Sequence, residues 1–274
     1  MTLPSWLLVI GVVAVPILVG VFLSFLNQSL GSTTSHFVGF QNYQTDVFSA
    51  TFAQALWITI LIVGLGTLVQ LPLGLLLAAI LASELRGNRV FRSTLLMPML
   101  LTPVAVSLIW RFMFNSDLGV IDWLLTQIHL PAVNWLGDPT WALISIIIVD
   151  SWQNVPFIML FSLAGMGGLP VDPYDAARVD GASAWQQFRY LTLPLLAPIL
   201  LITLMIRVVE GFKMFDLVYV ITSGGPGTAT QNLSLLDYRT GFTFLATSRG
   251  AAIGVALGIL LLPAYLLWVR AVRQ

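Results

Sequence analysis

The segment Tyr174–Leu196, YDAARVDGASAWQQFRYLTLPLL, is the polar exception in a chain apolar enough to lie largely in lipid. Asp172-Pro173 places an N-cap candidate and a first-turn proline ahead of a short helix. Asp180-Gly181 then supplies a turn, with Gly181 free to take a positive φ. A second arm follows, in which Trp185, Phe188 and Leu191 or Tyr190 recur at three-to-four spacing and give one apolar face. Leu193-Pro194 opens the next long apolar run. By composition alone, such a hairpin could also lie on lipid headgroups.

Outward from this segment, the 274 residues are 58% hydrophobic and 9% charged, with no cysteine. That composition lies outside the range of soluble domains and marks an integral membrane protein. The fold expected is all-α and polytopic. A spanning helix needs about 20 apolar residues, and six stretches qualify: Pro4–Leu26, Leu56–Ala82, Ser93–Phe112, Trp141–Gly165, Leu193–Thr222 and Gly250–Val269. They form one transmembrane domain over residues 1–274, with a polar loop at about 168–192. The first stretch has no basic n-region and is too long for a signal-peptide core, so it is expected to be retained as a helix.

Arg86, Arg89, Arg92, Arg178, Arg189, Arg270 and Arg273 fall on one set of loops, which the positive-inside rule makes cytoplasmic together with both termini. Only Arg239 and Arg249 lie on the opposite loops. Gly74, Ala78 and Ala82, and again Gly250, Gly254 and Gly258, form small-residue faces for packing within the chain. Net charge is zero, and His36 and His129 are far apart without cysteine partners, so neither a nucleic-acid footprint nor a metal site is readable.

The order Asp175-Ala176-Ala177, Asp180-Gly181-Ala182, Phe188 and then LTLP resembles the cytoplasmic loop of the membrane subunits of ATP-binding-cassette importers, where E-A-A, a central glycine and I-x-L-P recur. FVGFQNY at Phe37–Tyr43, SWQNVPF in the fourth span and TSGGPGTAT at Thr222–Thr230 resemble the carbohydrate (maltose-type) permeases. The Gly-Gly-Pro segment is similar to the first of their two paired permeases. The resemblance implies a coupling helix, carried by these seven residues, that docks in a cleft of an ATPase subunit. Asp175 stands where the family has glutamate, one methylene longer.

The resemblance further implies a second permease in a heterodimer, two ATPase subunits that bind ATP and Mg, an extracytoplasmic substrate-binding protein, and a bacterial or archaeal inner-membrane location. ATP hydrolysis needs a phosphate cradle such as G-x-x-x-x-G-K-[ST], and the single lysine, Lys213, has no such surroundings. No cofactor is therefore expected in this chain, which is read as a transport subunit without enzymatic activity. An ion-coupled secondary transporter is the rival class, but the matched inverted repeats it requires are not evident.

Charged residues inside spans are costly and usually face a cavity or one another. The fifth span carries Arg207, Glu210, Lys213 and Asp216. Arg207, Glu210 and Lys213 can share one broad face, and Asp150 of the fourth span lies near the depth of Arg207, where the two can pair. That pair is either a structural neutralisation or part of the path. Glu210, Gly211, Lys213, Phe215, Asp216 and Tyr219, with Trp152 and Asn154, are the candidates for a substrate pathway. Polar groups suit hydroxyls and aromatic faces suit C–H surfaces, which points to a sugar or polyol. Glycerol 3-phosphate is the alternative, because it would want the cations Arg207 and Lys213.

Overall fold

A computed structural model describes residues 10–32, 34–82 and 88–272. Its elements are α1 (Val15–Ser24), a two-residue hairpin of β1 (Leu26–Asn27) and β2 (His36–Phe37), α2 (Ala50–Ala82), α3 (Asn88–Leu100), α4 (Pro103–Met113) and α5 (Val120–Gln127). There follow α6 (Pro139–Gly167), α7 (Asp172–Val179), α8 (Ala184–Phe212), α9 (Asp216–Ile221), α10 (Leu233–Tyr238) and α11 (Thr247–Val272). Arg86, Arg273 and the first six residues of the first expected span, 4–9, lie outside the described residues.

Helices α2, α6 and α8 are long and apolar enough to cross a membrane. The core sits where α2 lies along α6: Ile58, Ile62, Val149 and Ile146 are buried together with Val218 and Ile221 of α9. Small residues permit that approach. A Cβ on Gly74 would stand 2.7 Å from the Ile158 side chain, so this small-residue face packs within the chain. On α11, Gly250 meets Gly241 backbone to backbone, whereas nothing approaches Gly258 within 4 Å.

Two of the expected spans are not single helices. The third breaks between α3 and α4, which meet at 94°. Pro103 has no amide hydrogen to donate and forces Thr102 into extended geometry, φ −66° and ψ 136°, so the helix must stop and restart. The fifth ends at Phe212 and resumes at Asp216. Its other end is longer than expected: α8 runs unbroken from Ala184, through a widened π turn at Phe188–Thr192, so Leu193-Pro194 lies within the helix and does not open it.

The segments after α1 and after α9 are tied to helix ends by polar contacts. Asn42 donates to the carbonyls of Ser24 (2.8 Å) and Leu26 (2.7 Å). Arg249 clamps Asp46 through two hydrogen bonds of 2.7 and 2.6 Å. Both arginines of these segments are thus occupied, since Arg239 donates to Gln231 and to the Ser223 carbonyl and so holds the Gly-Gly-Pro segment.

Candidate functional site

The charges of the fifth expected span separate into two groups. Arg207 points inward from α8 and is 4% exposed, and Asp150 of α6 is 2% exposed. They form a salt bridge. Gln70 of α2, fully buried, closes the set: its Nε2 donates to Asp150 Oδ2 at 2.7 Å while Arg207 Nε donates to its Oε1 at 2.7 Å. Asn154 Nδ2 donates to Asp150 Oδ1 at 3.0 Å. Three helices are therefore joined by one satisfied polar network, the condition under which a buried ion pair is tolerated. Gln70 is the member not foreseen. The signal for it is a lone amide in an otherwise apolar run.

Glu210 and Lys213 turn the other way. Their 2.8 Å ion pair has side chains 60% and 51% exposed, so Arg207 does not share their face. Lys213 is the C-cap of α8, and Asp216 opens α9. Each charge thus suits the end of the helix dipole at which it stands. Gly211 is buried, and a Cβ there would lie 2.8 Å from Val63 Cγ2. What approaches Gly211 is the neighbouring helix α2, not an open channel.

Beyond the break, Phe215 stacks on Tyr219 at 5.1 Å, Tyr238 packs against both at 4.8 and 5.5 Å, and Phe242 stacks on Tyr238 at 5.6 Å. Tyr219 and Phe242 remain exposed. Tyr238 and Phe242 extend the cluster beyond the residues anticipated. Their cue is an aromatic pair four residues apart, across the end of α10 and the π-helical turn Arg239–Thr243 that follows it. Among the described residues, no ring contact or hydrogen bond brings Trp152 or Asn154 into this cluster: Trp152 packs edge-on against Trp110 at 5.7 Å, and Asn154 is committed to Asp150.

Beside the cluster, Asp237 lies against α11, its carboxyl oxygens 3.4 Å from where a Cβ on Gly250 or Gly254 would be. Burial pushes this carboxyl up to about 6.

At the other end of α8, the polar insert forms the expected turn. Gly181 takes φ +77°, and Ser183 caps the second arm with a capping box to Gln186. The first helix is capped differently from expectation. Val171 occupies the N-cap without a side-chain bond, and Asp172 and Pro173 are its first residues. Asp175 pairs with Arg178 at 2.8 Å, both exposed. Ala176, Ala177, Asp180 and Ala182 complete this arm and its turn, while Phe188 lies on the second arm, stacked on Trp185 at 5.8 Å. A cavity of about 800 Å³ separates the insert from the helix ends, walled by Ala79, Met166, Tyr174, Arg178, Phe188 and Thr192.

The sequence of residues 70–273, which builds most of this apolar bundle and its polar hairpin, matches a family described as a binding-protein-dependent transport system inner membrane component. The chain belongs to this family. It is 32% identical to the trehalose/maltose transport system permease protein MalF of Thermococcus litoralis, over 100% of this chain and 92% of that protein. It is 31% identical to the sulfoquinovosyl glycerol transport system permease protein SmoG of Agrobacterium fabrum, over 98% of this chain and 88% of that one. A chain in the crystal structure of a bacterial alginate ABC transporter, in complex with its alginate pentasaccharide-bound periplasmic protein, shares the fold. The TM-score is 0.83 and the identity 23%, over 98% of this chain and 91% of that chain. The protein is thus an inner-membrane permease subunit of a binding-protein-dependent importer, and the helical bundle described above is that family's fold.

Proposed function

We propose that this permease forms half of the translocation path for a sugar or polyol, beside a second permease, with two ATPase subunits that bind ATP and Mg and an extracytoplasmic substrate-binding protein. MalF and SmoG, whose names specify trehalose/maltose and sulfoquinovosyl glycerol, support a sugar or sugar-glycerol substrate; of the two, only the MalF sugars are neutral, since sulfoquinovose carries a sulfonate. The observation that carries it is the ring cluster beyond the Glu210–Lys213 pair, in which Tyr219 and Phe242 present exposed faces and the partly buried Phe215 and Tyr238 back them. Such rings cover the C–H faces of a neutral polyhydroxylated ligand, and the charges offer hydrogen bonds to its hydroxyls. Arg207 is neutralised by Asp150 and Lys213 by Glu210, which leaves neither as the free cation a glycerol phosphate would want.

In this reading the chain crosses the membrane six times with both termini cytoplasmic. The spans are three long helices, the bent pair α3–α4, and the shorter apolar helices Ile10–Ser24 and Thr247–Pro263. The arm Asp172–Val179 with Asp180, Gly181 and Ala182 is the coupling segment, and Phe188 of α8, which walls the same cavity as Tyr174 of that arm, belongs with it. Trp152 and Asn154 contribute to the path through the position of α6. The test is to purify the complex and measure its ATPase rate with the loaded binding protein. A soluble ATPase should co-purify, and a neutral sugar should stimulate hydrolysis several-fold. Co-purification without stimulation by any neutral sugar or polyol would overturn the substrate class, and absence of an ATPase would overturn the coupling reading.

A further inference from the structure

The two arms of the insert differ in chemistry. The first, Asp172–Val179 with Asp180, carries three acids and one arginine, which is already paired with Asp175. The second carries Arg189 as its only charge, and among the described residues Arg189 makes no ion pair or side-chain hydrogen bond. Trp185 is 68% exposed and Tyr190 72%. Between this arm and α2 runs a cleft of about 570 Å³ lined by Leu71, Pro72, Leu75, Leu76, Trp185 and Phe188, among other apolar residues.

Length places this arm at the membrane surface. Helix α8 has 29 residues, about 43 Å at about 1.5 Å per residue, against a hydrocarbon core of about 30 Å. Gln186, Gln187 and Arg189 fall at the Ala184 end, before the apolar run that begins at Leu191, so the excess length is assigned to these first two turns, which then stand in the headgroup layer. Those turns hold Trp, Arg and Tyr, the types that settle at that depth. The acidic first arm is repelled by an anionic leaflet, whereas the second arm is attracted to it.

We propose that the second arm is a phospholipid site: an acyl chain lies in the cleft along Leu71–Leu76, under Trp185 and Phe188, and an anionic headgroup pairs with Arg189. The insert thus divides its labour, one arm for a protein partner and one for lipid. This assignment does not depend on the transported substrate.

The chain has no cysteine, so single-site labelling is direct. The complete transporter, carrying a bimane label at Trp185→Cys or Tyr190→Cys and a reference label at Asp180→Cys, is placed in nanodiscs of phosphatidylcholine and phosphatidylglycerol containing phosphatidylcholine spin-labelled near the headgroup. Quenching at 185 and 190 should exceed that at 180 at least threefold, with the ATPase bound or removed. In unlabelled protein, Arg189→Gln should lower the phosphatidylglycerol that co-purifies about twofold, leaving phosphatidylcholine unchanged. Equal quenching at the three positions would overturn the proposal. So would quenching at 185 and 190 that disappears when the ATPase binds, which would make this arm a protein contact, or an unchanged lipid ratio in Arg189→Gln.

Discussion

Arg207 and Glu210 are three residues apart on one helix, each paired with an opposite charge, yet the pairs are different objects. The Asp150–Arg207 pair is buried, joins α6 to α8, and is completed by Gln70 of α2. The Glu210–Lys213 pair joins a helix to itself and leaves both side chains more than half exposed. In a buried pair, loss of one partner strands the other without solvent. In an exposed pair, water replaces the partner. The buried pair therefore joins three helices, whereas the exposed one joins none, which is why the proposed pathway is assigned to it.

The largest effect tests the buried side. Arg207→Met leaves the buried Asp150 charge without its counterion and Gln70 Oε1 without its donor and should cost about 3–5 kcal/mol, read as a sharp fall in membrane-inserted yield and in the thermal stability of the purified complex. Asp150→Leu combined with Arg207→Met removes both charges and should recover most of the loss. A single mutant with normal yield would show that the network does not hold the helices together.

Asp237 offers a third environment, a mostly buried carboxyl on α10, in the segment between the expected fifth and sixth spans. Its folded value of about 6 lies above the ordinary 3.8. The folded state thus holds a proton that the unfolded chain releases between these values. Its contribution to stability is present below about pH 3.8 and is lost as pH rises through about 6. Asp237→Asn should remove this dependence and raise stability above about pH 7 by at most about 3 kcal/mol. Denaturation of the two proteins at several pH values checks the sign, because a stabilisation confined to acid pH is the opposite outcome.

How far the sequence announces these features depends on the kind of signal. Long apolar runs mark α2 and α6 well, and the hairpin at Gly181 is legible because Asp-Gly and the Ser183 cap are local chemistry. The break at Thr102 is legible in principle from Pro103, but the uninterrupted apolar run around it argues for one span. The continuity of α8 through Pro194 is obscured in the same way, since proline there reads as a helix start. Spacing alone puts Arg207 on the face of Glu210 and Lys213, and only packing against α2 and α6 separates them. Gln70 carries no charge, and Tyr238 and Phe242 fall in what reads as loop, so their gathering with distant residues is tertiary information.

The turn between the arms gives the next effect in size. With φ at +77°, Gly181→Val strains the backbone by about 1–3 kcal/mol, although a Cβ there would meet nothing within 4 Å. The damage should be local: ATPase association and transport fall several-fold while insertion and yield persist. Asp175→Glu should be tolerated, because its pair with Arg178 is exposed. A Gly181→Val protein that binds ATPase and transports normally would separate this turn from coupling.

The smallest effect on stability, and the one that decides the comparison, belongs to the exposed pair. Glu210→Gln, Lys213→Met and the double mutant should each change stability by about 1 kcal/mol or less, since an exposed i,i+3 pair contributes little. Yield should match the parent in all three. Uptake should not: a site that hydrogen-bonds hydroxyls loses rate or selectivity when its polar groups go, so the singles and the double should all shift transport or substrate preference with the ATPase still bound. A structural pair gives a different pattern. Either single would then lower yield, the double would restore it, and uptake of every substrate would be unimpaired, which would place Glu210 and Lys213 with Arg207 as organisers of the bundle and leave the aromatic cluster alone to contact the ligand.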